Sequence, residues 1–590
     1  MSGLSHSPSN TYQLISQAAS QFRDQTAITF IKAIAPDFID DQISYSQLVA
    51  NINRTARLLK DYFSGPEDQR PVVSFLLPNI PQAHFILWGS EAVGISNPLN
   101  PLLSEDALAS LMEKAGTDII VALGPNPNSD IWEKSLAVSQ RLSKTPKLIS
   151  ALIPAGEGFD HYEQLLPKYD TDALPNDWLN HGDEIAAYFH TGGTTGTPKL
   201  ALQSQANQMT MAATYLRTMD VSPGDSVVNG LPLFHVSGSL IMGLGSMVAG
   251  ANVILPTVAG FRDPSVIARH WDMVSKYKVK ISGGIATSVA SMASTPIGKA
   301  DISSLNYMVA GGAPTPVSVA NDIMKLTAKP LYQIYGLTET AGGIAMPNVK
   351  KPPVSGSSGH VLEDIDVKID TSSNDPISIG EICVRGPMVF PGYLGVKGSP
   401  LVDGWLRTGD LGYMDQDRNL FITGRAKDLI IRSGHNIDPA TIEACLDSHP
   451  AVSMSAAVGK PDAYAGELPV AYVMLHPDSQ VSEQDLLEYA LGNINERPAC
   501  PKYIKVLKEL PTTAVGKIHK PSLRALAAET TIQERLSEFQ VESSAKVLES
   551  GAIQVNISLL SGDEIALEQT CNELRDELGI KCVIEHLEIA

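Results

Sequence analysis

Ten residues of this chain read His190-Thr191-Gly192-Gly193-Thr194-Thr195-Gly196-Thr197-Pro198-Lys199. It follows a short apolar run at residues 185–189, which is typical of a buried strand. Three glycines let the backbone approach a ligand closely, four threonines add hydroxyl donors, and the lysine adds a positive charge. We therefore predict a phosphate-binding loop. A surface loop of the same composition is the alternative.

The size and charge of the chain limit its class. With 590 residues it is too long for a single core, so two or more domains are expected. Its 43% hydrophobic and 18% charged residues match an ordinary globular protein. A formal net charge of −20 offers no basic surface for nucleic acid or for an anionic membrane. A polyanionic ligand must therefore be held by a local site.

The cysteines, the N-terminus and one uncharged segment bear on the cellular compartment. The five cysteines lack the spacing of a zinc or haem site, so reduced thiols in the cytoplasm are expected. Residues 1–10 lack the basic and apolar regions of a secretory signal. Residues 226–261 contain no Asp, Glu, Lys or Arg, but prolines and glycines interrupt them. We predict buried core there and no integral membrane segment; a lipid-spanning helix is the alternative.

Short β-rich runs alternate with helical patterns along the chain. The pattern predicts an α/β fold with largely parallel, buried strands. The β-rich runs are at 72–77, 119–123 and 253–255, and one helical pattern is at 45–62. A new alternation begins near residue 424, as a small α+β domain would show. After residue 524, a polar stretch precedes a last unit with a strand, helix and strand pattern.

The glycine-rich loop resembles the phosphate-binding signature of the adenylate-forming superfamily, which includes acyl-CoA synthetases, peptide adenylation domains and luciferases. It is not a nucleoside-kinase P-loop, because GxxxxGK followed by Ser or Thr is absent. The resemblance implies that ATP is held by Thr191, Gly192, Gly193, Thr194, Thr195, Gly196 and Lys199. Two positions depart from the family pattern: Gly192 stands where serine is common, and Leu200 stands where glycine is usual.

Two further motifs resemble the family's adenine and magnesium segments. The adenine-side turn is matched by Gly311, Gly312, Ala313 and Pro314. In the motif Tyr335-Gly336-Leu337-Thr338-Glu339, the resemblance implies that Tyr335 stacks on adenine, Thr338 contacts phosphate and Glu339 binds Mg²⁺. A flat ring suits a purine, and a carboxylate is a hard oxygen ligand. The alternatives are a core ring for Tyr335 and a solvated acid for Glu339.

The C-terminal part carries motifs that resemble the ribose, hinge and catalytic-lysine segments of the family. Asp410 is implied to accept hydrogen bonds from the ribose hydroxyls, and Arg425 to touch ribose or phosphate. Lys427 is the implied hinge, with an exposed linker lysine as the alternative, and Gly434 is implied to lie beside the pantetheine arm of coenzyme A. Lys517 is the implied catalytic lysine, because the attack of a carboxylate on the α-phosphorus needs a cation. A solvated surface lysine is its alternative.

The segment around His235 resembles the region that receives the carboxylate of the acid. His235 is expected to donate to that carboxylate or to act as a gate, and a buried core histidine is the alternative. The uncharged segments 238–250 and 282–294 are expected to form the acyl pocket, which favours a largely apolar acid.

These motifs predict an α/β enzyme with a large adenylation domain at 1–426, a smaller mobile α+β domain at 427–530 and a β-α-β extension at 531–590. The implied activity is that of an acyl-CoA synthetase. Such an enzyme uses ATP and Mg²⁺ to convert a carboxylic acid to acyl-AMP, and then transfers the acyl group to coenzyme A. A ligase that loads a carrier protein and a non-catalytic nucleotide-binding homologue are the alternatives.

Overall fold

The computed structural model describes residues 8–191, 199–371, 378–433, 435–476, 479–494, 496–513, 516–548, 552–561, 563–578 and 580–585. Within these ranges the chain forms two seven-stranded sheets, two five-stranded sheets, one three-stranded sheet and a two-stranded ribbon.

The two seven-stranded sheets form the larger part of the molecule. Their strands in chain order are β1 (Thr26–Ala33), β2 (Ile39–Ser44), β3 (Val72–Leu76), β4 (Ile95–Pro98), β5 (Ile119–Leu123), β6 (Lys147–Ala151), β7 (Asp160–His161), β8 (Ile185–His190), β9 (Leu200–Ser204), β10 (Ser226–Val228), β11 (Asn252–Pro256), β12 (Val279–Ile285), β13 (Tyr307–Gly311) and β14 (Leu331–Ile334). The orders are β14-β13-β12-β10-β11-β1-β2 and β7-β6-β5-β3-β4-β8-β9. The strands are parallel except for the antiparallel pairs β1–β2 and β8–β9, which confirms the predicted α/β class.

Helices pack against these sheets and bury many of their strands. They are α1 (Thr11–Phe22), α2 (Tyr45–Tyr62), α3 (Pro81–Val93), α4 (Glu105–Ala115), α5 (Ile131–Ser139), α6 (Tyr162–Leu165), α7 (Gln205–Thr218), α8 (Ser246–Val248), α9 (Pro264–Ala268), α10 (His270–Tyr277), α11 (Ala286–Ala293) and α12 (Val317–Thr327). Every residue of β3 and β5 is buried, as in a parallel sheet covered on both faces. α2 begins at a capping box formed by Ser44 and Gln47 and matches the predicted helical range.

The uncharged segment 226–261 lies inside this α/β core, as predicted. It forms β10, a nine-residue π-helix at Ser237–Gly245, α8 and β11. In the part of the chain that the structure describes, no helix is both long enough and apolar enough to cross a membrane.

Smaller sheets follow the two large ones. A ribbon pairs β15 (Ala345–Met346) with β16 (His360–Val361), and a five-stranded sheet contains β17 (Asp366–Asp370), β18 (Gly380–Arg385), β19 (Leu401–Val402), β20 (Trp405–Met414) and β21 (Leu420–Arg425). The antiparallel register of β20 and β21 sets Asp410 directly opposite Arg425. Two side chains in such a cross-strand pair are within contact distance.

The next part of the chain is a small α+β unit. Its sheet has the order β23-β22-β25-β24, with β26 beside β25, and its elements are β22 (Ile430–Arg432), β23 (His435–Ile437), α13 (Pro439–Asp447), β24 (Val452–Asp462), β25 (Gly466–Leu475), α14 (Glu483–Asn493), β26 (Ile504–Val506) and α15 (Lys520–Arg535). One apolar cluster joins the sheet to α13 and α14 through Leu446 and Leu486. A second joins it to α15 through Leu523 and Ala527.

The last unit of the chain has one strand more than the sequence pattern predicted. It contains β27 (Gln540–Val547), β28 (Ile553–Ser561), α16 (Glu564–Leu578) and β29 (Lys581–Glu585), with β28 antiparallel to β27 and parallel to β29. Its core includes Ala528 and Ile532 of α15. The predicted boundary at residue 530 therefore falls inside a helix that two cores share. The positions of the domain boundaries stay a prediction.

Candidate active site

The glycine-rich loop connects two antiparallel strands. β8 and β9 pair up to His190 and Leu200, and the Thr191 N–H donates to the carbonyl of Lys199 at 2.8 Å. The predicted phosphate ligands Gly192, Gly193, Thr194, Thr195 and Gly196 lie outside the described residues. Leu200 is 1% exposed as the first residue of β9. Its aliphatic side chain thus belongs to the core, which accounts for the departure from glycine at this position.

Lys199 and Glu339 meet at a tyrosine to which the sequence motifs assigned no role. The Tyr393 hydroxyl donates to Glu339 Oε1 at 2.6 Å, and Lys199 Nζ lies 5.0 Å from the centroid of the Tyr393 ring. Phe390 packs edge-on against that ring with centroids 4.7 Å apart. Thr338, next to Glu339, is buried, and its carbonyl accepts from Gln203 Nε2 at 2.6 Å. This cluster places a cation and a carboxylate beside the end of the loop.

Asp410 is the centre of a second polar group. Its two carboxylate oxygens accept from the Tyr335 hydroxyl and from Arg425 Nε, each at 2.7 Å. Burial and the Asp410 charge raise the pKa of Tyr335 well above its usual value, so its hydroxyl is a neutral donor. Each carboxylate oxygen can accept a further hydrogen bond. Three residues predicted from separate motifs are therefore joined directly.

A cavity lies beside this group, bordered by Ile334 and Gly336 on either side of Tyr335. Its lining is mostly apolar and glycine residues: Val228, Leu231, Pro232, His235, Val236, Ser237, Ile241, Met242, Phe261, Gly283, Gly284, Ile285, Val309, Ala310, Gly311, Gly312, Ile334, Gly336, Gly342 and Lys517. Both uncharged segments that we expected to form an acyl pocket, 238–250 and 282–294, contribute to it. This lining suits a small organic ligand with one polar end.

The predicted adenine-side turn begins at Gly311, the last residue of β13. Gly311 and Gly312 line the cavity, whereas Ala313 is half-buried and Pro314 is exposed. Gly312 has a φ of +82°, and a Cβ built there would lie 3.1 Å from Lys517 Cε. A side chain at this position would therefore crowd the end of Lys517, which would have to shift by a few tenths of an ångström.

Lys517 enters the cavity from the small α+β unit. The Lys517 N–H donates to Thr513 Oγ1 at 3.1 Å, and the Thr513 N–H donates to the Lys517 carbonyl at 2.7 Å, which closes a tight turn. Thr287 Oγ1 of the large α/β part donates to the Gly516 carbonyl at 3.1 Å. Burial, followed by the nearby Arg425 charge, lowers the pKa of Lys517 to about 8. The Lys517 side chain therefore lies in a cavity whose other lining residues fall between Val228 and Gly342.

His235 lies near Lys517 as a neutral side chain. Burial, and then the Lys517 charge, lower the pKa of His235 to about 3. His235 Nδ1 accepts from the Ser237 N–H at 3.2 Å, so the ring proton is on Nε2. His235 therefore provides a hydrogen-bond donor rather than a base to the cavity.

His190 is a neighbour of His235 that the sequence motifs left without a role. Its ring stacks on Phe234 with centroids 5.7 Å apart, and its Nε2 accepts from the Asn100 N–H at 3.2 Å. Burial lowers the pKa of His190 to about 4. Neither these contacts nor those of Tyr393 leave a periodic signal in the sequence, because they join segments far apart in the chain.

The predicted hinge lies in a short turn between the two parts of the molecule. Lys427 is exposed within the 3₁₀ turn Ala426–Asp428, which directly follows Arg425. Arg524 Nη2 of α15 donates to Asp428 Oδ1 at 2.9 Å and so ties the end of this turn to the small unit. Gly434 lies outside the described residues.

Glu339 has the chemistry of a ligand for a hard cation. In the part of the chain that the structure describes, no group of three or more His, Cys, Asp or Glu side chains could hold a metal. A single carboxylate suits Mg²⁺, which keeps several waters and is bound by one or two carboxylates together with phosphate oxygens. The donor set therefore fits a magnesium ion that arrives with a nucleotide.

Two family models match this chain. A family model for AMP-binding enzymes matches residues 15–394, and a model for the C-terminal domain of AMP-binding enzymes matches residues 441–517. A marinolic acid–CoA ligase from Pseudoalteromonas sp. (strain SANK 73390) is 33% identical over 95% of this chain and 88% of its own. An indoleacetate–CoA ligase from Aromatoleum aromaticum (strain DSM 19018 / LMG 30748 / EbN1) is 30% identical over 84% of this chain and 96% of its own.

Solved structures show the same fold. The crystal structure of the anthranilate CoA ligase AuaEII in complex with anthranoyl-AMP is 20% identical and covers 89% of this chain and 98% of its own, with a TM-score of 0.79. The structure and the comparisons lead to one conclusion. The structure contributes the lysine from the small unit and the Tyr335–Asp410–Arg425 group, and the comparisons contribute two matched domain models. The chain belongs to the adenylate-forming, AMP-binding family of acyl-CoA ligases.

Proposed function

We propose that this protein is an acyl-CoA synthetase that activates a largely apolar carboxylic acid as acyl-AMP and then forms the thioester with coenzyme A. The observation that carries the proposal is the position of Lys517, a cation in the wall of a mainly apolar cavity. The relatives named above, which are CoA ligases for marinolic acid and indoleacetate, support the reaction class.

In the first half-reaction, the acid carboxylate lies beside His235 Nε2–H and Lys517 Nζ. Both groups are donors, so they orient the carboxylate and neutralise the charge that builds up as it attacks the α-phosphorus. Asp410 accepts from the ribose hydroxyls while Arg425 holds it in place. Magnesium bound with ATP through Glu339 supplies charge neutralisation at the phosphates. Pyrophosphate leaves, and acyl-AMP remains in the cavity.

In the second half-reaction, Lys517 must leave the cavity so that the thiol of coenzyme A can reach the acyl carbon. We propose the turn at Lys427 as the pivot, residues 1–426 as the adenylation domain, 427–530 as the mobile domain and 531–590 as an extension. The contact between Thr287 and Gly516 is then one that exists only in the adenylating orientation. Gly434 is proposed to contact the pantetheine arm after the pivot.

The acyl specificity follows from the cavity wall. Apart from His235, Ser237 and Lys517, the lining side chains are apolar or glycine, so fatty, branched or aromatic acids fit better than charged ones. No acidic residue lines the cavity among the described residues, which disfavours amino acids because their ammonium group would be buried without a partner.

The test is ATP–pyrophosphate exchange with a panel of fatty, branched, aromatic and amino acids, followed by coenzyme A-dependent release of AMP. We expect exchange with apolar acids and a thioester on addition of coenzyme A. Exchange without thioester would instead support a ligase that loads a carrier protein. An absence of exchange with every acid would support a non-catalytic nucleotide-binding protein and refute the proposal.

A further inference from the structure

Tyr393 connects two groups that the proposed reaction uses separately. Its hydroxyl donates to Glu339 Oε1, and its ring face lies under Lys199 Nζ. Glu339 comes from the 3₁₀ turn Thr338–Thr340, and Lys199 ends the phosphate loop. The Glu339 carboxylate, which is proposed to bind a cation, and the Lys199 ammonium, which is proposed to bind phosphate, thus contact the same aromatic side chain.

The ring of Tyr393 is held rigidly. The Leu202 N–H donates to the Gly392 carbonyl at 3.0 Å, and the Leu394 N–H donates to the Leu200 carbonyl at 2.9 Å. The segment on either side of Tyr393 therefore forms a single antiparallel bridge with β9, in which Tyr393 lies opposite Ala201. The Phe390 N–H also donates to the Glu339 carbonyl at 2.9 Å, so the same segment fixes the backbone of the carboxylate.

Lys199 and Glu339 carry opposite charges, yet they form no ion pair within the described ranges of the chain. Each is instead occupied by Tyr393, through a cation–π contact at the ring face and a hydrogen bond at the hydroxyl. A direct ion pair would use the carboxylate that a metal needs and the ammonium that a phosphate needs. The Tyr393 ring lies where it keeps the two apart.

We propose that Tyr393 is a positioning residue that separates Lys199 from Glu339 and so keeps both free for the nucleotide and its metal. This rests on the proposed role of Glu339 as a magnesium ligand. The Glu339 Oε1 bond to Tyr393 leaves Oε2 to face the metal, since a carboxylate accepts at both oxygens. The cation–π contact is weak enough for a phosphate to displace.

Two substitutions separate the hydroxyl from the ring. Tyr393→Phe keeps the ring under Lys199 but removes the hydrogen bond that orients the Glu339 carboxylate, so we expect metal binding about 3- to 10-fold weaker and metal-free ATP binding unchanged. Tyr393→Leu also removes the ring and lets Lys199 pair with Glu339. We therefore expect metal-free ATP binding to fall about tenfold. Adding Glu339→Gln to Tyr393→Leu should restore it, because no carboxylate is left to capture the lysine.

The measurements do not depend on turnover. Metal binding is followed by the electron paramagnetic resonance of Mn²⁺ with a non-hydrolysable ATP analogue, and metal-free ATP binding by calorimetry in EDTA. Tyr464→Phe, which removes a hydroxyl from a tyrosine that is 96% exposed, is the matched control. Circular dichroism shows whether each variant is folded. If Tyr393→Leu does not fold, the metal binding of Tyr393→Phe alone tests the proposal.

The outcomes separate this inference from the proposed function. If Glu339→Gln alone leaves Mn²⁺ binding unchanged, the metal role of Glu339 is wrong and the inference fails with it. If Glu339→Gln weakens Mn²⁺ binding but Tyr393→Phe does not, the metal role stands and the role of Tyr393 is refuted. A failure of Glu339→Gln to restore ATP binding in Tyr393→Leu would show that the ring acts only as structural support.

Discussion

The charge state of Lys517 should control the first half-reaction and not the second. Burial and the Arg425 charge lower the pKa of Lys517 to about 8, whereas an unperturbed lysine titrates near 10.4. Only the ammonium form can neutralise charge at the α-phosphorus. Because the pKa is lowered, the required cation is present below pH 8 and is lost as the pH rises through 8.

The size of the effect follows from that pKa. About nine-tenths of Lys517 is protonated at pH 7 and about one-tenth at pH 9, so kcat/KM for adenylation should fall about tenfold between them. This fall belongs to kcat/KM, which reports the free enzyme. The corresponding pKa in kcat should be higher, because bound triphosphate places negative charge near the lysine.

The assay is ATP–pyrophosphate exchange at subsaturating MgATP from pH 6.5 to about 9.5. Lys517→Arg is the matched control: its guanidinium stays charged over this range, so its exchange is slower but does not fall between pH 7 and 9. Lys517→Ala should lose most exchange yet still form thioester from supplied acyl-AMP. An equal fall with pH in wild type and in Lys517→Arg would refute the assignment, as would equal loss of both half-reactions in Lys517→Ala.

Three other substitutions test the geometry of the site. Thr287→Val removes the hydrogen bond to the Gly516 carbonyl and should slow exchange roughly fivefold, from about 1 kcal/mol, without slowing thioester formation from acyl-AMP; Thr287→Ser should restore the rate. Asp410→Asn should weaken ATP binding roughly 10- to 100-fold by calorimetry, and unchanged affinity would exclude contact with the ribose. Gly312→Ala places a Cβ 3.1 Å from Lys517 Cε at a φ of +82°, so it should lower both the melting temperature and the exchange rate. If only the melting temperature falls, the added Cβ does not displace Lys517.

Much of the fold could be predicted because the relevant signals are local. The α2 helix matches its predicted range because its capping box and its apolar face lie in one short stretch. The strand β27 was missed because only one of its faces is partly buried, so its residues are mainly polar and give little alternation of apolar and polar side chains. The π-helix at Ser237–Gly245 follows no distinct sequence period.

The site, like the fold, contains residues that could be predicted from the sequence and residues that could not. Family resemblance predicted roles for Lys517, Asp410 and Tyr335, and the structure brings their separate segments together. Resemblance gave no reason to select Tyr393, because its role depends on the pairing of residues 392–394 with β9. Contacts of that kind are set by sheet topology, which spacing along a chain does not encode.

The sharing of α15 between two cores has a consequence for measuring motion. Ala527 packs on the sheet that carries the lysine loop, and Ala528, the next residue, packs on the terminal unit. In the proposed pivot at Lys427 the terminal unit would therefore turn with that sheet, because independent rotation would break the helix. A dye at residue 560, where Leu560 is 52% exposed, and another at residue 216, where Leu216 is 46% exposed, would report each reorientation of a single molecule by energy transfer.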